Sequence, residues 1–232
     1  MEDDMPERGK PSPPEIVAFD IIGTVFPLEP LRAAIQTLGL PPAALEGWFA
    51  TGLRDAFALS ATGDFAPLPE VLDGALDQVL AEQGLPAHPQ GKARLLDGMK
   101  HLPSRPDAKE AFETIARAGM RIMALSNGAR SATQGLLRSG GLEDLVNHVV
   151  SVDDVRIFKP RREVYDHAAR TAGVVASRIA LVAVHAWDIS GAKAAGFTTA
   201  YVAAERPFSP VMRAPDLEAG SLSEAARKLV ML

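Results

Sequence analysis

Residues 19–26, FDIIGTVF, place an aspartate where an apolar run gives way to a turn. Asp20 follows the run, and Gly23 and Thr24 stand three and four positions beyond it. A carboxylate at the mouth of a buried strand can serve as an oxygen nucleophile, or it can simply bond the backbone amides of the turn. The position two residues on, where a second acid would carry a proton, is Ile22. Three further stretches carry polar side chains of the right kinds. ALSNG holds Ser126 and Asn127, whose hydroxyl, amide and turn N–H groups suit a substrate carboxylate or phosphate, although Ser-Asn-Gly is also a common turn signal. FKP holds Lys159 ahead of a proline that keeps it out of helix, so its ammonium can point inward or lie in solvent. VHAWD holds His185, an imidazole suited to proton transfer near neutrality, with Asp188 three residues later.

These residues must be held by a scaffold, and the chain supplies one. Short β-branched or apolar runs at 16–19, 121–125, 149–152, 179–184 and 199–202 alternate with helical stretches. That alternation predicts an α/β fold with right-handed crossovers and a parallel sheet, whose ligands bind beyond the carboxyl ends of the strands. Asp20, Ser126 and Asn127, Lys159, and His185 with Asp188 all fall at or just past such ends. Ala108, Ala111, Phe112 and Ile115 are spaced for one helix face, with Asp107 expected as its cap and Gly119 as its stop. A further helix is expected over about 188–195, ended by Gly196. Between the first strand and residue 107 the sequence reads only as helix, at 31–38, 44–59, 69–83 and 90–99. Such a strand-free insertion predicts a helical cap over the strand ends, the alternative being ordinary crossover helices.

Composition sets limits. A chain of 232 residues that is 47% hydrophobic can bury one sizeable core with room for a small helical unit. A net charge of −5 with scattered Lys and Arg disfavours a nucleic-acid partner. The absence of cysteine excludes a thiol nucleophile and a thiolate metal site. Residues 1–14 are acidic and proline-rich and are expected to form a disordered leader. No run approaches the roughly 18 apolar residues of a membrane span, so a cytoplasmic protein with no membrane partner is expected.

In this order and spacing, FDIIGTVF, ALSNGA, IFKPRREVYDHA and VAVHAWDISGAKAAGF resemble the four motifs of the haloacid dehalogenase superfamily, and within it the type II, L-2-haloacid branch. The resemblance covers about 15–201. It implies a Rossmann-like core (15–30 and 103–232), a C1-type helical cap (31–102), and Asp20 as nucleophile. It also implies that Thr24 bonds the nucleophile, that Ser126 and Asn127 hold substrate and leaving group, and that Lys159 neutralises the anions. Tyr165 would line the pocket, and Trp187 and Asp188 would fall on the branch's Trp and on its acid near the hydrolytic water. Apolar cap helices of this kind suit a homodimer.

Ile22 sharpens the expectation. Phosphatases of the superfamily carry an acid at that position because an alkoxide leaving group needs a proton, whereas a halide leaves as a stable anion. They also place a Mg²⁺ ligand four residues before the second acid of the fourth motif, where this chain has Val184. Metal independence is therefore expected, with no cofactor. The expected reaction is SN2 attack by Asp20 on the α-carbon of a short 2-haloalkanoate, with inversion, followed by hydrolysis of the ester. His185 is the candidate base for the water, partnered by Asp188 or by Glu29.

The resemblance has gaps. Ala183, Val184 and His185 stand where the studied dehalogenases have serine and asparagine, and Trp48-Phe49 stands where they have Trp-Arg, whose arginine receives the halide. Arg54 is the candidate replacement, unless it is a solvated arginine beside Asp55. Phe49, Leu53, Phe57 and Phe65 either line an apolar pocket or form the core of the cap. Two rival readings keep the fold: a hydrolase of another small substrate, such as a phosphatase drawing an acid from the cap, and a non-catalytic binding protein.

Overall fold

The computed structural model describes residues 13–203 and 207–232. All but the last two residues of the expected leader lie outside these. Among the described residues the strands form one parallel sheet of order β3-β2-β1-β4-β5-β6. Here β1 is Ile16–Asp20, β2 Arg121–Ser126, β3 His148–Ser151, β4 Ile179–Ala183, β5 Thr198–Val202 and β6 Leu217–Ala219. Every strand expected from the sequence is present to within one residue at each end. The short edge strand β6, with polar Glu218 at its centre, was not legible. β1 is buried along its whole length, as a strand covered on both faces must be. Its register pairs Asp20 with Leu125, and Phe19 with Val182 on the other side. The chain winds outward from β1 through β2 to β3 and then returns to β4 on the other side of β1, so the carboxyl end of β1, where Asp20 sits, is the switch point at which such sheets bind ligands.

The insertion after β1 is strand-free, as expected. It contains α1 (Arg32–Thr37), α2 (Ala44–Thr62), α3 (Leu68–Glu82) and α4 (Pro89–Gly98). Helices α2 and α3 pack closely: Trp48 Nε1 donates to Leu72 O at 2.9 Å, and a Cβ on Gly52 would come within 2.5 Å of the Leu72 side chain. The remaining helices are α5 (Ala108–Arg117), α6 (Arg130–Ser139), α7 (Arg162–Ala172), α8 (Ala186–Ala194) and α9 (Leu222–Val230). α8 begins two residues earlier than the sequence predicts.

Helix α5 buries the stripe Ala108, Ala111, Phe112 and Ile115, with the Phe112 ring 4.4 Å from that of Phe19. Full burial of one such phenylalanine contributes about 1.5–3 kcal/mol. Asp107 precedes this helix but does not cap it. Its Oδ2 instead accepts from Ser223 N at 2.9 Å, tying the start of α5 to α9. No helix among the described residues is long and apolar enough to cross a membrane.

Candidate active site

The turn that follows β1 is built for a tight return. Val25 N and Phe26 N both donate to Ile21 O, and Gly23 N donates to Phe26 O. Gly23 has φ +88°, a conformation side chains disfavour. A Cβ on it would lie 2.7 Å from His185 Cε1 and 2.9 Å from Nε2, so the histidine ring occupies the space a side chain would need. From the segment between α4 and α5, Arg105 grips the same turn. Its Nε donates to Thr24 O at 2.7 Å, Nη2 to Gly23 O at 3.4 Å, and its backbone N to Val25 O at 2.8 Å.

Asp20 is thereby presented with donors on both oxygens. Oδ2 accepts from Thr24 Oγ1 at 2.6 Å and meets His185 Nδ1 at 2.9 Å, while Oδ1 accepts from Lys159 Nζ at 2.8 Å. Val184 N donates to Thr24 Oγ1 at 3.1 Å, which commits the threonine's proton to Asp20. Lys159 is fully buried, and its three N–H groups go to Asp20 Oδ1, Leu125 O and Asp188 Oδ2, the last at 2.6 Å. Tyr165, also buried, donates to Asp188 Oδ1 at 2.6 Å.

The two carboxyls are driven apart electrostatically. Burial pushes Asp20 up, but the Lys159 ammonium and the contact with His185 outweigh it and hold Asp20 far below the usual carboxylate range. Asp188 moves the other way: burial and the neighbouring Asp20 charge raise it against the pull of Lys159. Burial works against the charge on Lys159, yet the charges of Asp188 and Asp20 raise its value. Burial, followed by the Asp188 charge, raises Tyr165 well above its ordinary value, so it stays a donor.

At the end of β2, Ser126 Oγ accepts from Gly128 N at 2.9 Å, which leaves its own proton to give. Asn127 Oδ1 accepts from Lys159 N at 3.0 Å, and its buried Nδ2 has no protein acceptor. Helix α2 closes the site from above with aromatic side chains. Phe49 lies 6.3 Å from the His185 ring and Phe57 5.3 Å from Trp187, which itself stacks on His185 at 5.1 Å. Phe65 stacks on Phe158, next to Lys159, and Leu53 is buried. An apolar cavity of about 440 Å³ between α3, α4 and α6 has Ile22, Leu72, Leu96, Ala132 and Leu136 in its wall but not Asp20. It adjoins the site at Ile22 and Gly128.

The structure thus gathers Asp20, Thr24, Lys159, His185, Asp188, Tyr165, Ser126, Asn127 and Trp187 in one place. Arg54 is not among them. Its side chain is 57% exposed and bonds Asp55 and Gln78, because position 54 lies off the buried stripe of α2 formed by Trp48, Leu53, Ala56 and Ser60. Glu29 pairs with Arg32, not with His185. Nor do His185 and Asp188 form a couple: His185 turns to Asp20, and Asp188 is taken by Lys159 and Tyr165.

Sequence reasoning missed Arg105 and Ser60. Ser60 Oγ accepts from Phe158 N at 2.9 Å, joining α2 to the lysine loop. Both residues work through backbone groups 81 to 98 positions away, and no local pattern signals that.

The donor set also bears on metal. Every carboxylate oxygen of Asp20 and Asp188 already has a protein donor, Lys159 Nζ lies between the two groups, and positions 22 and 184 carry hydrocarbon. Mg²⁺ requires a nearly complete shell of oxygens, and these residues do not fit it.

A family model of haloacid dehalogenase-like hydrolases matches residues 14–196. (S)-2-haloacid dehalogenase 1 of Pseudomonas sp. (strain CBS-3) is 30% identical over 221 residues, covering 92% of this chain and 96% of that protein. Haloacetate dehalogenase H-2 of Moraxella sp. (strain B) is 26% identical over 190 residues, 81% of this chain and 85% of its own length. The structure of L-2-haloacid dehalogenase from Xanthobacter autotrophicus with chloropropionic acid covalently bound superposes with a TM-score of 0.83 at 25% identity, over 92% of this chain and 97% of that one. An α/β parallel sheet carrying a buried carboxylate–lysine–carboxylate chain at its switch point defines a hydrolase core of this type. The chain belongs to the haloacid dehalogenase-like hydrolases.

Proposed function

We propose that this protein is a 2-haloacid dehalogenase in which residues 31–102 cap a core made of 15–30 and 103–232. The observation that carries this reading is Asp20 itself: an ionised carboxylate held by Lys159 and Thr24, with Ile22 where a proton-donating acid would be. A lone carboxylate in a dry site can displace a leaving group that needs no proton, and a halide is such a group.

Asp20 attacks the α-carbon of a short 2-haloalkanoate from the side opposite the halogen. The carbon–halogen bond breaks as the Asp20 ester forms, and the configuration inverts. The Ser126 hydroxyl and the Asn127 amide each have a donor to give to the substrate carboxylate and the departing ion. Phe49, Phe57 and Trp187 surround the alkyl group with apolar surface that excludes water. Water then attacks Cγ of Asp20 and releases a 2-hydroxy acid, its proton going to His185 or to Asp188. The xanthobacter enzyme with covalently bound chloropropionic acid supports an ester intermediate in this fold.

The test is chloride release from L-2-chloropropionate by the purified protein, with an aryl phosphate as control and with and without exhaustive chelation. We expect chloride, no phosphate, and no loss on chelation. Asp20→Asn lowers kcat by about 10⁴-fold or more. A single turnover in ¹⁸O-water leaves the label in the Asp20 side chain. Label confined to the hydroxy acid, or activity restored only by Mg²⁺, overturns the mechanism.

A further inference from the structure

The proton taken from water in the second half-reaction has two candidate acceptors, and their geometry separates them. We infer that His185 is not that base but an oxyanion donor, holding the Asp20 carbonyl oxygen during ester hydrolysis, which leaves the proton to Asp188, the acid that the family resemblance already sets near the water. The inference rests on the ester mechanism proposed above.

The argument begins with the nucleophile. Asp20 Oδ2 has two partners, Thr24 Oγ1 at 2.6 Å and His185 Nδ1 at 2.9 Å, which use both its lone-pair directions. Oδ1 has one, Lys159 Nζ, and so keeps a lone pair for carbon. Ester formation through Oδ1 leaves Oδ2 as the carbonyl oxygen, still facing the same two groups.

An ionised carboxylate only accepts hydrogen bonds, so Nδ1 is the protonated ring nitrogen whether His185 is neutral or charged. That nitrogen has no lone pair for water. The opposite edge of the ring, Cε1 and Nε2, lies against Gly23, where a mere Cβ would be 2.7–2.9 Å away. Nε2 therefore faces the turn and not Cγ.

The step balances as follows. Water oxygen bonds to Cγ, and the π pair of the carbonyl moves onto Oδ2, where Thr24 Oγ–H and His185 Nδ1–H receive the negative charge. The water proton passes to the Asp188 carboxylate, whose oxygens each have one donor and a further lone pair. The pair on Oδ2 then re-forms the carbonyl, the Cγ–Oδ1 ester bond breaks, and the departing alkoxide takes the proton from Asp188. Asp20 regains its carboxylate by releasing the acid proton to solvent.

Two variants distinguish a donor from a base. His185→Asn sets an amide N–H where Nδ1–H stands but provides no basic nitrogen, whereas His185→Ala provides neither. Ester formed from L-2-chloropropionate is followed by rapid quench and intact mass, with circular dichroism to confirm folding. We expect His185→Asn to hydrolyse the ester within about tenfold of the parent, and His185→Ala to slow it by about 10²–10³-fold and accumulate ester. Equal slowing in both variants overturns the inference and restores His185 as base. Parent-like hydrolysis in both overturns any role for His185. Absence of ester in the parent protein instead defeats the dehalogenase mechanism itself, so the two failures are distinct.

Discussion

Two aspartates joined by one lysine are pushed in opposite directions by their surroundings, and this suits them to the opposite tasks proposed above. Asp20 is held far below the usual carboxylate range, so it remains ionised well into acid; Asp188 is raised, so it gains a proton sooner than an ordinary carboxyl. Acid therefore uncouples the half-reactions. At pH about 4, near the ordinary carboxylate value, ester formation on Asp20 should proceed at its neutral rate while hydrolysis slows as Asp188 protonates. Quenched intact-mass measurements should show more ester at that pH than at neutrality; a falling rate of ester formation would mean that Lys159 does not hold Asp20 ionised. The linked effect on folding has the same sign for Asp20: a depressed value contributes stability above the ordinary carboxylate pKa that is lost as pH falls through the folded one. At this scale the sequence was legible wherever a polar residue ended a strand, since a strand's exit fixes where the next side chain points. Of the two readings the sequence left open for Arg54, the solvated one beside Asp55 holds, because a helix rotates each residue away from its predecessor and one position off the buried stripe of α2 is enough to face solvent.

The secondary elements supply the rigidity that the carboxylates need. β1 is held centrally between β2 and β4 and from beneath by the Phe19–Phe112 contact, so its end moves little. The turn beyond it is fixed from outside by Arg105, which belongs to the chain's return path from the helical block and donates to the carbonyls of Gly23 and Thr24. Arg105→Ala should cost about 1.5–3 kcal/mol in urea unfolding, the range for hydrogen bonds made by charged groups. It should also slow ester formation, because a shift of the turn displaces Asp20 from its line of attack. Unchanged ester formation with lowered stability would restrict Arg105 to a purely structural part. The parallel strands could be read from continuous apolar runs bounded by turns. β6 could not, being three residues long with a charged residue at its centre, and Asp107 looked like a helix cap because its true partner, Ser223, lies 116 positions on.

Across the whole molecule, one helix of the insertion reaches the candidate site at three points. From α2 come Phe49 and Phe57, against His185 and Trp187, and Ser60, whose hydroxyl accepts the Phe158 N–H directly before Lys159. Arg161 Nη1 adds a longer bond to Ser60 O at 3.4 Å. Ser60→Ala leaves a buried N–H unpaired only when α2 is docked, so it should raise KM for 2-chloropropionate by about tenfold while ester formation at saturation stays close to the parent rate. A changed saturating rate with KM intact would show that Ser60 acts on Lys159 and not on docking. The position of the helical block was legible from an 80-residue gap without strands, but which of its faces meets the sheet was not, since that depends on how the helices pack on one another. One last feature of this arrangement reaches beyond the bond-breaking step. All three hydrogens of the Lys159 ammonium are committed to fixed oxygens of the protein, so the freed halide finds no spare hydrogen there to linger on. On the proposed mechanism its escape into bulk water is then left to the Ser126 hydroxyl, the Asn127 amide and the aromatic rims of α2, neutral holders that would favour rapid clearance of the site between turnovers.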